Sequence, residues 1–357
     1  MVLSMQKQGV ARTETTAWPR RKVLLGALGA VSGNALAAAA AAAAESPSAT
    51  PATPATPVLP PRLRLLCGAS AGGTPDLIAR RLASALEPTF PGGVLVDNRP
   101  GAGAVLGVAA LRQAAPDGAT WLLGHAGLVT LNAELPGLRL SYDPQRDLLP
   151  LAQITQTAFV LAVGPAVPAE VSTLAMLQQW WREQPGKASH ASPGLGTMPH
   201  LLGVLLGRES GLALTHLVYP GGQQAIADVL GGHVSAVILP EGLLRPWQGG
   251  GLRLLASSGA QRSRFLPTVP TFVELGLAGL SGQEWFACFA PPGTPTALLT
   301  QASSRLRAAC DSPAWVEGLA ALALQPAYLE PAALAERILR ERTQWRRVMA
   351  QNAIRVE

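Results

Sequence analysis

Lysine is nearly missing from this chain: past residue 44 it occurs once, at Lys187, and arginine supplies every other fixed side-chain cation. Charged residues make up only 14%, and most of the formal net charge of +6 is local. Residues 1–44 carry Lys7, Arg12, Arg20, Arg21 and Lys22 against Glu14, so +4 of the +6 sits there and +2 remains for the rest. So small an excess gives no ground for a nucleic-acid partner. Cysteine is rare as well, and Cys67, Cys288 and Cys310 form no CxxC and no Cys/His metal spacing. Two of them fall in strand-like runs and the third ends a helical pattern, so buried, inert thiols are expected, with one disulfide left open. The five histidines, His125, His190, His200, His216 and His233, include no HExxH or HxH pair, so no metal is expected. There is no GxSxG elbow, and Ser192 with His200 has no obvious third member, which disfavours a hydrolase. Past Leu59 every apolar run is broken by charge or proline, so the body of the chain is read as soluble.

At 357 residues and 48% hydrophobic, the chain can bury a large core and has room for about two domains. The N-terminal stretch reads separately. Trp18-Pro19-Arg20-Arg21-Lys22 precedes the apolar run Val23 to Ala30 and an alanine tract ending near Ala44. A basic start, a short apolar stretch and small residues form an export signal, and the paired arginines point to the twin-arginine route. An uncleaved anchor over Val23 to Ala44 is the competing reading. It is disfavoured because alanine is only weakly hydrophobic against the roughly 20 strongly apolar residues a span prefers. Residues 45–61, rich in Pro, Ala, Thr and Ser, form a linker. The protein is therefore expected to be exported, released from a cleavable signal over 1–44.

From Arg62 onward short β-like runs alternate with helical periods. The first series is Leu63 to Cys67, helix Thr74 to Leu86, Val94 to Val96, helix Ala102 to Ala114 and Thr120 to Leu123. A second runs from Phe159 to Val163 through helices Thr173 to Gln184, Thr197 to Arg208 and Gln223 to Leu230 to the strand Leu252 to Ser257. The run Trp285 to Ala290 and helices Pro295 to Ala309 and Ala332 to Met349 close the chain. Strand-helix-strand alternation predicts an α/β fold of parallel sheets flanked by helices. There are too many strands for one small sheet. Two α/β lobes are expected, 62–160 with 285–357 and 161–284, with a ligand between them at the carboxyl ends of the strands.

Two glycine turns, each at the start of a helix, carry the chemistry. In Ala71-Gly72-Gly73-Thr74-Pro75-Asp76, the glycines allow a sharp turn or a close approach, Thr74 can cap the helix, Pro75 suits the first turn and Asp76 favours the dipole. Ser192-Pro193-Gly194-Leu195-Gly196-Thr197-Met198-Pro199-His200 repeats the recipe in the second lobe. A third turn, Tyr219-Pro220-Gly221-Gly222, also ends a strand and begins a helix. Each exposes unpaired amides at a helix N-terminus, a candidate anion cradle, although each is equally readable as a well-capped helix. Asp97 to Gly107 looks like a dinucleotide fingerprint, but its spacing is GxGxxxG and no acid follows at the required distance. The expected clamp holds a carboxylate on the amides of Gly72, Gly73, Gly194 and Gly196. The hydroxyls of Thr74, Ser192 and Thr197 assist, and His125, Tyr219 and Leu239 to Glu241 meet the rest of the ligand. No cofactor is expected.

These motifs together resemble the solute receptors of tripartite tricarboxylate transporters, the Bug family. The stretches that carry the resemblance are Gly72-Gly73 with Asp76 and Arg80, Val96 to Gly103, Ala115-Pro116-Asp117-Gly118, Tyr142-Asp143-Pro144 and the Ser192 to His200 loop. Tyr219-Pro220-Gly221-Gly222 with Asp228 to Gly232, and Trp285-Phe286 with Phe289-Ala290-Pro291, continue them in family order over about 62–330. The resemblance implies a two-lobed type II periplasmic binding protein, expected as a monomer. It would bind a small carboxylate and present it to the membrane subunits of a transporter, without enzymatic activity. A ligand sensor serving a signalling partner is the alternative. Carried onto this chain, it implies a site of Gly72, Gly73, Thr74 and Asp76 facing Ser192, Gly194, Gly196, Thr197 and His200. The chain departs from the family at Gly68-Ala69-Ser70-Ala71, at Pro220 where the family usually has Lys, and at Val234-Ser235. These positions lie near the ligand end and bear on ligand identity.

Overall fold

The computed structural model describes residues 57–351, so the expected export signal and most of the linker lie outside the described residues. The strands are β1 (Leu63–Cys67), β2 (Val94–Asn98), β3 (Thr120–His125), β4 (Leu149–Val163), β5 (Ser189–Ser192), β6 (Thr215–Val218), β7 (Ala236–Pro240), β8 (Arg253–Ser257), β9 (Gln283–Ala290) and β10 (Gln325–Leu329). The helices are α1 (Thr74–Leu86), α2 (Val105–Arg112), α3 (Leu131–Glu134), α4 (Leu174–Glu183), α5 (Met198–Glu209), α6 (Gly222–Leu230), α7 (Glu241–Leu244), α8 (Thr296–Cys310), α9 (Pro313–Ala321) and α10 (Pro331–Gln351).

The strand order is β2-β1-β3-β9-β4-β7-β5-β6, with β8 and β10 also paired to β4. Strands β1, β2 and β3 run parallel, as do β5, β6 and β7. The crossing strands pair antiparallel, β9 with β3 and β4, and β4 with β7, β8 and β10. Strand β4 changes partners along its length: Leu149 to Ala158 face β9 and β10, and Phe159 to Val163 face β7 and β8. The sheet therefore has two sections that share one strand.

Helix α1 shows why the chain folds this way locally. Ile78, Ala79, Leu82, Ala83 and Leu86 recur at helical spacing and are buried, and Pro75 in the first turn loses no intrahelical bond. Its buried face joins Leu63, Leu65, Trp121 and Trp315 in one core, while Phe159, Leu161, Trp181 and Leu201 belong to another in the second section. The expected helix over Ala102 to Ala114 is shorter. Gly103 and Ala104 take positive φ values of 63° and 76°, so regular helix begins only at Val105. Helix α10, assigned whole to the first lobe by sequence, also reaches the second section. Leu334 and Ile338 pack with Trp285 and Phe289, whereas Trp345 and Met349 pack with Leu201 and Phe272. At 21 residues it extends about 31 Å at 1.5 Å per residue. No helix among the described residues is long and apolar enough to cross a membrane.

Candidate functional site

The two glycine turns are built to one plan. In each, a glycine at positive φ (Gly72, +81°; Gly196, +70°) sits one residue before the N-cap, and proline stands in the first turn. The side chain four residues after that glycine reaches back to its amide. Gly72 N–H donates to Asp76 Oδ2 at 2.8 Å, and Gly196 N–H donates to His200 Nδ1 at 3.1 Å. This extends the logic of a capping box by one residue.

The plan corrects the expected roles of several residues. The N-caps are Gly73 and Thr197, and neither helix receives a side-chain cap bond. Thr74 is the first helical residue, not the cap, and Thr197 Oγ1 donates backwards to Gly194 O at 2.8 Å. The Gly72, Gly73, Gly194 and Gly196 amides are spent within their loops, on Asp76, Ser70 O (3.2 Å), Ser192 Oγ (3.4 Å) and His200. The amides outside the intrahelical ladder are those of Thr74 and Asp76 in α1, and of Met198 and His200 in α5.

The loops differ in charge. Asp76 Oδ2 also accepts from Arg80 Nε at 2.9 Å, and Oδ1 accepts from Asn98 Nδ2 at 2.9 Å, which ties loop one to the end of β2. Burial would raise the Asp76 carboxyl, but the bonds from Arg80, Gly72 and Asn98 outweigh it and hold the pKa below the ordinary range. In the second loop His200 must be neutral, because its Nδ1 accepts a hydrogen bond, and burial lowers its pKa. One helix N-terminus thus already faces a carboxylate, and the other faces a neutral ring.

His200 stacks on His216 with centroids 4.1 Å apart, and His216 on His190 at 4.8 Å. His216 Nε2 lies 2.7 Å from Ser192 Oγ, and that hydroxyl also lies 3.2 Å from Gly194 O. This stack was not legible in the sequence, since β5, β6 and α5 each contribute one ring and the spacings 190, 200 and 216 match no local pattern. Glu284 was missed for the same reason. On β9 it accepts from Ala126 N–H at 3.1 Å and stands 3.9 Å from Nδ1 of His125, at the carboxyl end of β3. Burial raises the Glu284 carboxyl to about 8, with Glu341 adding repulsion, and burial lowers His125.

The third turn is occupied by packing. Tyr219 Oη donates to Asp228 Oδ2 at 2.6 Å, and Gly221 is an extended N-cap without the backward bond. A Cβ on Gly222 would lie 2.9 Å from Leu243 Cδ1, so close packing accounts for that glycine. Leu239 and Glu241 are buried, and Glu241 accepts from Ser263 Oγ at 2.6 Å. Both side chains are packed within the protein. A depression of about 460 Å³ beside α2, lined by Asn98, Arg99, Leu106 and Gln113, touches the first loop's network only through Asn98.

Comparison with known proteins places this geometry. The description "Tripartite tricarboxylate transporter family receptor" matches residues 78–354. The chain belongs to this receptor family. It is similar to protein BugT of Bordetella pertussis, 34% identical over 264 residues, covering 73% of this chain and 79% of BugT. Among solved structures it is similar to the periplasmic binding protein BugD (TM-score 0.73, 25% identity, 83% of this chain and 99% of that one). A protein of R. palustris solved with adipate is similar as well (TM-score 0.76, 26% identity, 82% and 98%). The receptor thus has the mixed α/β fold of periplasmic binding proteins, and its family is one of binding proteins rather than enzymes. The Ser192–His216 contact fits that assignment, since Ser192 is fully buried.

Proposed function

We propose that this receptor binds a small carboxylate between two lobes and delivers it to the membrane subunits of a tripartite tricarboxylate-type transporter. The lobes are 62–160 with 285–357 and 161–284, closing by a hinge at the crossing segments near residues 160 and 284. The ligand class is a dicarboxylate, tricarboxylate, acidic amino acid or aromatic acid, and adipate in the R. palustris relative supports the first.

The observation that carries this reading is the twin construction of the two glycine turns, which leaves two free amides at each of two helix starts. The turns are not equal. Asp76 already offsets the dipole of α1, so an anionic oxygen gains more at α5, where the acceptor is the neutral ring of His200. The carboxylate then sits on the Met198 and His200 amides, and the first loop reads the ligand's other end with Thr74.

Mass spectrometry of ligand that co-purifies with the protein tests the class directly. A carboxylate panel followed by melting temperature and product formation tests the role. Stabilisation with ligand unchanged supports a receptor, and turnover overturns it. For delivery, the export signal over 1–44 is read as twin-arginine type, and Arg20→Lys with Arg21→Lys should abolish export by that route.

A further inference from the structure

The second glycine loop is held at both ends by one pair of stacked rings. Its start, Ser192 and Gly194, is bound through the Ser192 hydroxyl to His216 Nε2. Its end, Gly196, is bound through its amide to His200 Nδ1. The two rings lie 4.1 Å apart and only 24° from parallel. Beneath them His190, 1% exposed with both ring nitrogens buried, forms the third plate of the stack. Gly203 makes room for that plate, because any Cβ there would occupy the His190 ring.

We propose that His216 is a positioning residue of the receptor: together with His200 it sets the second glycine loop in the form that presents the Met198 and His200 amides to the ligand. The proposal rests on the receptor reading for its purpose, but its geometry can be tested without ligand. Sequence offers no hint of this role, because His216 lies outside the loop, on the neighbouring strand β6.

Neutrality of the stack is part of the arrangement. Burial lowers His190 to about 3, with His216 and His200 adding to the shift, and burial with His200 lowers His216 to about 4. The group that acts electrically on the central ring is therefore His200 on α5, and His190 on β5 stacks on its other side. Protonating His200 Nδ1 would remove the acceptor of the Gly196 amide and set a positive charge against the next ring.

The test is amide hydrogen exchange of the intact protein at pH 7, comparing the peptides over 193–200 with those over 69–77 as internal control. His216→Phe keeps a ring and loses the nitrogen, His216→Gln keeps a donor near Ser192, and Ser192→Ala removes the other partner with little change in volume. We expect His216→Phe to speed exchange over 193–200 by roughly tenfold, as loss of one hydrogen bond would. Residues 69–77 should be unaffected, His216→Gln should recover part of the protection, and Ser192→Ala combined with His216→Phe should cost less than the sum of the two single variants. Nitrogen NMR should show His200 as the Nε2–H tautomer in the wild type, with that preference weakened in His216→Phe. Unchanged exchange over 193–200, additivity of the double variant, or an Nδ1–H His200 in the wild type would overturn the proposal. Calorimetry with adipate, citrate, glutamate and benzoate runs alongside: wild-type protein that binds none of them counts against the receptor reading, whereas the exchange result judges the positioning role alone.

Discussion

The amide of Gly72 donates to the carboxylate of Asp76 at 2.8 Å, closing the first glycine turn on itself. The same bond recurs in the other section from Gly196 to His200, with an imidazole in place of the acid. Similar backbone geometry thus presents a charged acceptor at one turn and a neutral one at the other.

Gly196 and Gly73 should respond very differently to alanine. Gly196 holds φ +70° and a Cβ there would overlap Leu135 Cδ2, whereas Gly73 is extended at φ −72° and a Cβ would meet Ser70 O at 3.3 Å. Left-handed backbone alone costs about 1–2 kcal/mol. Gly196→Ala should therefore destabilise by at least that much in urea unfolding and weaken ligand binding, while Gly73→Ala should stay within about 0.5 kcal/mol.

Asp76 is structural before it is functional. Asp76→Ala leaves the Gly72 amide without its acceptor and Asn98 Nδ2 with Ala69 O alone, a loss of about 1–3 kcal/mol by chemical denaturation. Its folded pKa lies below the unfolded value near 3.9, so its contribution is complete above that pH and is lost as pH falls through the folded value. Wild type and Asp76→Ala should converge in stability in acid.

Glu284 carries the opposite sign. Burial and Glu341 raise its folded pKa to about 8, so the folded state holds a proton that the unfolded chain gives up near 4.3. Stability from this group is full below that lower value and falls as pH rises towards 8, by up to about 1.4 kcal/mol per unit. Glu284→Gln retains an acceptor for Ala126 N–H and should flatten the stability profile across that window, as read by melting temperature against pH.

The three thiols should be silent in the native protein. Cys67, Cys288 and Cys310 are free and buried, and burial raises all three, Cys310 to about 12. An aromatic disulfide reagent at pH 8 should label none of them when folded and all three in guanidinium. Labelling of fewer than three after unfolding would reveal a disulfide.

Much of the fold was readable because its signals are local. Helix α1 matches its predicted span, Thr74 to Leu86, and the strands β1, β3 and β8 lie within a few residues of their predicted places. The first half of β4 escaped notice because Pro150, Gln153, Thr155 and Gln156 break the apolar run, although pairing with β9 and β10 on both sides makes it strand. The short helix α9 and strand β10 were missed for want of a clear period. The glycine turns were visible as turns, but which amides they leave free was not. That depends on Asp76 and His200 folding back, a choice of rotamer rather than of sequence spacing.

The sequence by itself determined the alternation of strands and helices, the two proline-bearing glycine turns, the near absence of lysine and the family to which the chain belongs. These rest on backbone propensity, periodicity and residue order, which act over a few positions. Only the tertiary structure decided that His190, His200 and His216 form one stack, that Glu284 stands beside His125, and that α10 serves both sections. Each joins residues from separate elements, and such contacts arise only when the sheet order brings those elements together and burial fixes their side chains.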